Sequence, residues 1–259
     1  MGSAAVAMSL DLSPVVPSVE NRIFINDVNE ELVNVYRVLK HQPEQLIKRL
    51  RRMELDTTEK KYYEIREKQE RSEIGRAARV IYLNRTCFNG LYRENSRGKF
   101  NVPYGRLVNP TVCNEPLLKA VSKWLSFVNV TQGHFRVAVE ASKRNDVVYF
   151  DPPYIPLSET SSFSKYNATD FGLNDHLDLS ALIERLTKRG VRVMLSNSDC
   201  EKTREIYMSS GLSLHSIRVQ RNIGARGTSR VKVRELIGIN YDMSDCKDPR
   251  YAAKISQKI

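Results

Sequence analysis

Apolar and polar positions along the chain change period from block to block, and the periods predict a mixed α/β protein. Residues 23–27 (Ile-Phe-Ile-Asn-Asp) and 147–150 (Val-Val-Tyr-Phe) are short apolar runs of β-formers. They read as strands buried in a sheet, the first ending in a carboxylate and the second running directly into one. After the first run, Asn29 opens a helical pattern with Leu32, Val35, Tyr36 and Leu39 on one face. Residues 48–80 are dense in charge and read as exposed helices. Residues 84–106 keep neither period: they mix Asn, Gly and Arg with Phe88, Tyr92, Phe100 and Tyr104, as a loop or hairpin does. Later the alternation resumes, with a helix over 175–189, a strand over 191–196, a helix over 201–209, and strands near 213–219 and 232–239.

The second apolar run ends at Asp151-Pro152-Pro153-Tyr154, where the pattern acquires a chemical meaning. In open α/β sheets, ligands bind just beyond the carboxyl ends of strands. An exocyclic amine on a nucleobase is a poor nucleophile because its lone pair is delocalised into the ring. A carboxylate at Asp151 and the carbonyl of Pro152 can accept the two amine hydrogens and turn that lone pair out of the ring plane. The prolines fix φ and carry no N–H to compete, and Tyr154 offers a flat face to a base. A plain strand end followed by a Pro-rich turn has the same local sequence. Asp27, at the end of the first run, stands where a ribose hydroxyl pair is commonly held; the other reading is a helix cap.

Composition narrows the class. The 259 residues suffice for one large α/β domain, or for a core domain with a smaller insertion, and 41% apolar with 27% charged residues describes a globular chain. No apolar run is long enough to span a bilayer and no secretory signal is visible, so no membrane partner is expected. Cys87, Cys113, Cys200 and Cys246 are scattered without metal or disulfide spacing, which suggests reduced thiols in a cytoplasmic setting and no metal site. The net charge of +11 favours a polyanionic partner. Arg218, Arg221, Arg226, Arg230, Lys232 and Arg234 form a stretch without acidic residues, suited either to phosphates or to a solvated hairpin.

Several stretches in order resemble the Dam-type DNA adenine-N6 methyltransferases. They are Asn84-Arg85-Thr86-Cys87-Phe88-Asn89-Gly90-Leu91-Tyr92-Arg93 with Gly98-Lys99-Phe100-Asn101-Val102-Pro103-Tyr104-Gly105, then Asp151–Tyr154. After these come Pro156-Leu157-Ser158 with Phe163-Ser164-Lys165-Tyr166, and Leu195-Ser196-Asn197-Ser198-Asp199. The resemblance runs from about residue 20 to residue 241. It implies a Rossmann-like, S-adenosylmethionine-dependent methyltransferase sheet with an inserted, mainly helical target-recognition subdomain. Residues 1–47 would form the cofactor side, 48–127 the DNA-binding insertion, and 128–259 the part that carries Asp-Pro-Pro-Tyr.

The implied reaction is methyl transfer from S-adenosylmethionine, without a metal, to N6 of an adenine flipped out of double-stranded DNA. Flipping costs about a few kcal/mol of unstacking. By position, Asp151, Pro152, Pro153 and Tyr154 form the catalytic tetrapeptide. Asp27, Phe135 and Asp151 would face the cofactor; an ordinary core aromatic is the other reading of Phe135. Phe88 looks like the aromatic that wedges into the stack, and Asn89 like the contact to the orphaned base. Arg93 would meet a guanine edge, Leu91 and Pro103 a thymine methyl, and Arg106 a phosphate. Together these positions resemble enzymes that read GATC, acting as a monomer on DNA in the cytoplasm, near the nucleoid.

The resemblance weakens at the N-terminus. Such enzymes begin with a Lys/Gly-rich segment and a central strand ending in Phe-x-Gly-x-Gly, whereas this chain starts Met1-Gly2-Ser3-Ala4-Ala5-Val6-Ala7-Met8. The expectation is an incomplete cofactor side with unpaired strand edges. Two alternatives stay open: a relative that only binds DNA, and a cytosine-N4 methyltransferase. A cytosine-C5 enzyme is excluded because no Pro-Cys dipeptide supplies its nucleophile.

Overall fold

The computed structural model describes residues 5–8, 23–95, 97–156, 171–220 and 232–242. These fall into two compact units, one containing the described residues up to Ala138 and the other those from Val139 onward. Each mixes helices with strands, as the sequence periods require. Residues 1–4, the stretch 157–166 and Arg221, Arg226, Arg230 and Cys246 lie outside the described residues.

The first unit opens with a short helix, α1 (Ala5–Met8). It continues through strand β1 (Ile23–Asp27) and helices α2 (Glu30–His41), α3 (Pro43–Glu54), α4 (Glu59–Glu67), α5 (Glu73–Thr86) and α6 (Glu115–Leu125). Strand β2 (Val128–Gln132) and the short helix α7 (Phe135–Ala138) close it. Asn29 caps α2 as its sequence predicts, its side chain accepting the Leu32 N–H. The strands β1 and β2 pair in parallel, Ile23 opposite Val128 through Asp27 opposite Gln132. Among the described residues β2 is the only strand paired with β1, and Phe24 on β1 is 56% exposed. Only Ile25 of β1 is buried, so the run is not the fully buried strand its composition predicts.

The charged stretch from 48 to 80 also departs from expectation, because its helices have a buried face. Leu46, Ile47 and Leu50 of α3, Tyr62 and Ile65 of α4, and Ala77 and Ala78 of α5 are all buried. Most of them join Tyr36, Leu39, Tyr82, Leu83 and Leu125 in one hydrophobic core. The charges serve that packing: Arg79 donates through Nε to the Ile65 carbonyl at 3.0 Å and through Nη2 to the Arg66 carbonyl at 2.5 Å, satisfying the end of α4.

The second unit carries β3 (Val147–Phe150), α8 (Leu173–Arg189), β4 (Arg192–Ser198), α9 (Glu201–Met208), β5 (Ser213–Gln220) and β6 (Lys232–Ile239). Its sheet has the order β3-β4-β6-β5, with β3 and β4 parallel and the other pairs antiparallel. The parallel pair is joined through α8, whose stop is set by Gly190 at φ +80°, the left-handed conformation glycine accepts. Strand β3 is less enclosed than an all-apolar run suggests. Phe150 is buried, but Val147 is 66% exposed and β4 is the only strand paired with β3 among the described residues.

Candidate active site

Strand β3 delivers Asp151-Pro152-Pro153-Tyr154 at its carboxyl end, and polar groups of the neighbouring strand hold the loop there. The pairs of β3 with β4 end at Phe150 opposite Leu195, so Asp151 and Ser196 are the next residues on their strands. Asp151 is exposed, and its Oδ1 accepts the Ser196 hydroxyl at 2.7 Å. Tyr154 is half-buried, and burial pushes its phenol up to about 12, so it stays neutral at physiological pH.

The backbone beyond the tetrapeptide is clamped. Ile155 N–H donates to Asn197 Oδ1 at 3.0 Å, Ser198 N–H donates to the same oxygen at 2.9 Å, and Ser198 Oγ donates to the Ile155 carbonyl at 2.5 Å. Two N–H donors on one side-chain atom fix it as the oxygen. Asn197 Nδ2 is then a buried donor without a partner among the described residues.

His176, in the first turn of α8, is buried against α9. It is 4% exposed, with Nδ1 2.8 Å from the Tyr207 hydroxyl and the Phe171 ring edge-on at 4.8 Å. Burial drives its pKa down to about 4, against opposing effects of Asp175 and a backbone hydrogen bond with Pro153. An unfolded histidine titrates near 6.5. Between that value and about 4 the unfolded chain binds a proton that the folded one refuses, so acid favours unfolding. The contribution of His176 to stability is therefore complete above pH 6.5 and lost progressively as pH falls towards 4. Thermal melts of wild type and His176→Gln between pH 7.5 and 5 will show a shallower pH slope in the variant; equal slopes would contradict this.

The first unit holds the other sequence-predicted residues, in two places. Asp27 ends β1 half-buried; its Oδ1 accepts the Asn29 N–H at 2.9 Å and its carbonyl accepts the Gly133 N–H at 3.0 Å. Asp27 therefore braces the start of α2, while Asn29 is the cap. Phe135, two residues past Gly133, opens α7 half-buried, its ring 4.1 Å from that of His134. The structure thus brings a carboxylate and an aromatic ring to the carboxyl ends of one parallel strand pair.

The second place is the segment after α5. Asn84, Arg85 and Thr86 complete that helix, and a hairpin-like loop follows, with isolated bridges joining Cys87 to Tyr104 and Glu94 to Phe100. The Phe88 N–H donates to the Pro103 carbonyl at 2.9 Å, which brings Phe88, Asn89 and Pro103 together, all three exposed. Asn89 and Arg106 both adopt left-handed backbone, at φ +54° and +52°, a conformation asparagine tolerates and arginine rarely does. Arg106 is exposed as well. Leu91 is partly buried against the core, so part of its side chain packs inward. The Arg93 guanidinium is oriented by Asn101, with Nε 2.7 Å from Oδ1 and Nη2 3.2 Å from the carbonyl.

The sequence alone assigns no role to Ser196, Asn197, His176, Tyr207 or Asn101. One signal was available: Ser196-Asn197-Ser198 is a polar run closing an apolar strand, and polar residues at a buried strand end need a reason.

Comparison with known proteins supplies the family. Residues 1–223 match the D12 class N6 adenine-specific DNA methyltransferases. The chain is 40% identical over 243 residues to the Type II methyltransferase M1.LlaDCHI of Lactococcus lactis subsp. cremoris, covering 91% of this chain and 83% of that one. It is 38% identical to the Type II methyltransferase M.MjaIII of Methanocaldococcus jannaschii, over 85% of this chain and 80% of that one. The DNA adenine methylase of Escherichia coli K12 is 32% identical, over 92% of this chain and 84% of that protein. The chain belongs to the D12 class of N6 adenine-specific DNA methyltransferases.

Proposed function

We propose that this protein methylates N6 of an adenine flipped out of double-stranded DNA, within GATC, with S-adenosylmethionine as donor. The observation that carries this reading is Asp151: a carboxylate at the carboxyl end of β3, fixed by the Ser196 hydroxyl at 2.7 Å and followed by two prolines that lack N–H donors. Asp151 and the Pro152 carbonyl accept the two hydrogens of the exocyclic amine. That holds the nitrogen lone pair out of the base plane, and the proton lost on methylation leaves on the carboxylate side. Tyr154 stacks on the flipped base, and Pro153 keeps the turn rigid. The reading makes this a Rossmann-like methyltransferase, with residues 48–127 as the inserted recognition region and Asp-Pro-Pro-Tyr in the part from residue 128 to the end.

The residues present fit the nucleoside half of the donor. Asp27 offers a half-buried carboxylate to a ribose hydroxyl pair, and Phe135 offers an aromatic face for adenine, with Gly133 hydrogen-bonded between their strand ends. The donor supplies an electrophilic methyl group when bound. The chain's own task is to orient and desolvate the amine beside it.

Sequence readout falls to the hairpin-like loop. Phe88 and Asn89 stand exposed where an aromatic wedge and a contact to the orphaned base are needed, with Pro103 beside them. Arg93 is pre-oriented by Asn101 for a bidentate guanine contact, Leu91 keeps a partly exposed edge for a thymine methyl, and Arg106 meets a phosphate. Arg218 and Arg234 support a polyanionic partner independently: they stand opposite each other on β5 and β6, both exposed. Like charges so placed repel unless an anion lies between them.

Arg93→Ala tests the assignment. Discrimination between GATC and a duplex altered at one guanine will fall by about 1–3 kcal/mol, while affinity for unrelated DNA changes little. Competition binding measures both, and an unaltered preference would remove Arg93 from direct readout.

A further inference from the structure

We propose that Ser196 is a positioning residue that joins Asp151 and Tyr149 into one hydrogen-bonded unit, so that a single buried hydroxyl on β4 sets the amine-orienting carboxylate. This rests on the role proposed above for Asp151. The geometry begins with the strand period: Tyr149 and Asp151 are two residues apart and share a face. Ser196, 3% exposed, meets both of them, with Oγ 2.7 Å from Asp151 Oδ1 and 2.9 Å from the Tyr149 hydroxyl. A serine hydroxyl has one hydrogen and two lone pairs. The carboxylate takes the hydrogen, so Tyr149 must be the donor in its own bond to Ser196.

The buried hydroxyl thus donates to Asp151 and accepts from Tyr149, whose phenol keeps the proton that the arrangement needs. Burial raises the pKa of Tyr149 as it does that of Tyr154, and the charge of Asp151 adds to the effect at each. A carboxylate on a strand end has two rotatable bonds; the Ser196 donor removes that freedom from Asp151. Removing the hydroxyl leaves Asp151 short of a donor and the Tyr149 phenol short of an acceptor, without touching the substrate-facing atoms themselves.

The test compares wild type, Asp151→Ala, Ser196→Ala and Ser196→Thr in steady-state methyl transfer to a duplex with one GATC site, with thermal melts of each protein. The expected result for Ser196→Ala is a kcat lower by about 10–100-fold, as is typical when an orienting partner is removed. KM for DNA and the melting temperature should stay close to wild type. Ser196→Thr keeps the hydroxyl and should recover most of the rate, which a merely structural role would not require. A wild-type kcat in Ser196→Ala, a loss that follows only the unfolded fraction, or failure of threonine to rescue a folded protein would each overturn the proposal. If Asp151→Ala is inactive while Ser196→Ala is not, the Ser196 inference alone fails. If Asp151→Ala turns over like wild type, or wild type transfers no methyl, the amine-orienting reading fails with it.

Discussion

Replacing Asp151 with alanine will lower methyl transfer by at least about 10³-fold, the scale on which positioned polar groups at a reacting atom act in other enzymes. The cause is electronic. Without the carboxylate one amine hydrogen loses its acceptor, the lone pair returns to conjugation with the ring, and the nitrogen stops being a nucleophile. Asp151→Asn should recover little, because an amide oxygen accepts more weakly and its NH2 group can oppose the incoming amine. DNA binding should stay near wild type, since Asp151 is an exposed strand-end residue whose removal opens no cavity in the core. Single-turnover transfer and equilibrium DNA binding on the same preparations separate the two effects. Comparable turnover in wild type and variant would remove Asp151 from the chemistry.

Gly105→Ala will damage the protein by another route, through backbone collision. A Cβ at this position would lie 2.4 Å from the Cys87 carbonyl oxygen, 2.7 Å from the Cys87 carbonyl carbon and 2.9 Å from the Thr86 oxygen. All three are main-chain atoms, so no rotamer change relieves the clash. They belong to the neck of the hairpin-like loop, where Gly105 N–H donates to the Thr86 carbonyl at 2.9 Å and Tyr104 bridges to Cys87. The two arms must part, and Cys87, buried at the base of the loop, is displaced with them. The expected cost is about 3 kcal/mol, within the range for forced overpacking. The loop that presents Phe88, Asn89 and Pro103 loses its shape at the same time. Denaturant melts should show the destabilisation and DNA affinity should drop; an unchanged midpoint with unchanged affinity would contradict the packing described for this neck.

The sequence revealed most where local chemistry decides the outcome. Asn29 is a cap because of what its own side chain can accept, and the helix after it followed from spacing alone. The end of β3 at Asp151 was legible for the same reason, since two prolines cannot continue a strand ladder. Burial was less legible, because it depends on neighbours that a linear pattern does not name. The all-apolar run Val147–Phe150 reads as enclosed on both faces, yet Val147 is 66% exposed and the sheet is mixed. Charge misled in the opposite direction: α3, α4 and α5 look like solvated helices until their apolar positions are seen to share one core.

Within the site, the tetrapeptide was visible but its supports were not. Asn197 holds the Ile155 amide across 42 positions of sequence and Ser196 holds Asp151 across 45. Both contacts depend on the register of β4 against β3, which periodicity leaves open. His176 is further removed still, since the partner of its Nδ1 is Tyr207 on α9, a helix packed against α8.

The most direct test of the account is the identity of the base that receives the methyl group. DNA carrying GATC sites, incubated with the protein and S-adenosylmethionine bearing a deuterated methyl group, is digested to nucleosides and analysed by mass spectrometry. The account predicts the label on N6 of deoxyadenosine with wild type and its loss with Asp151→Ala. Label on cytosine, equal label on adenine with the Asp151 variant, or no label on DNA that the protein demonstrably binds would contradict it.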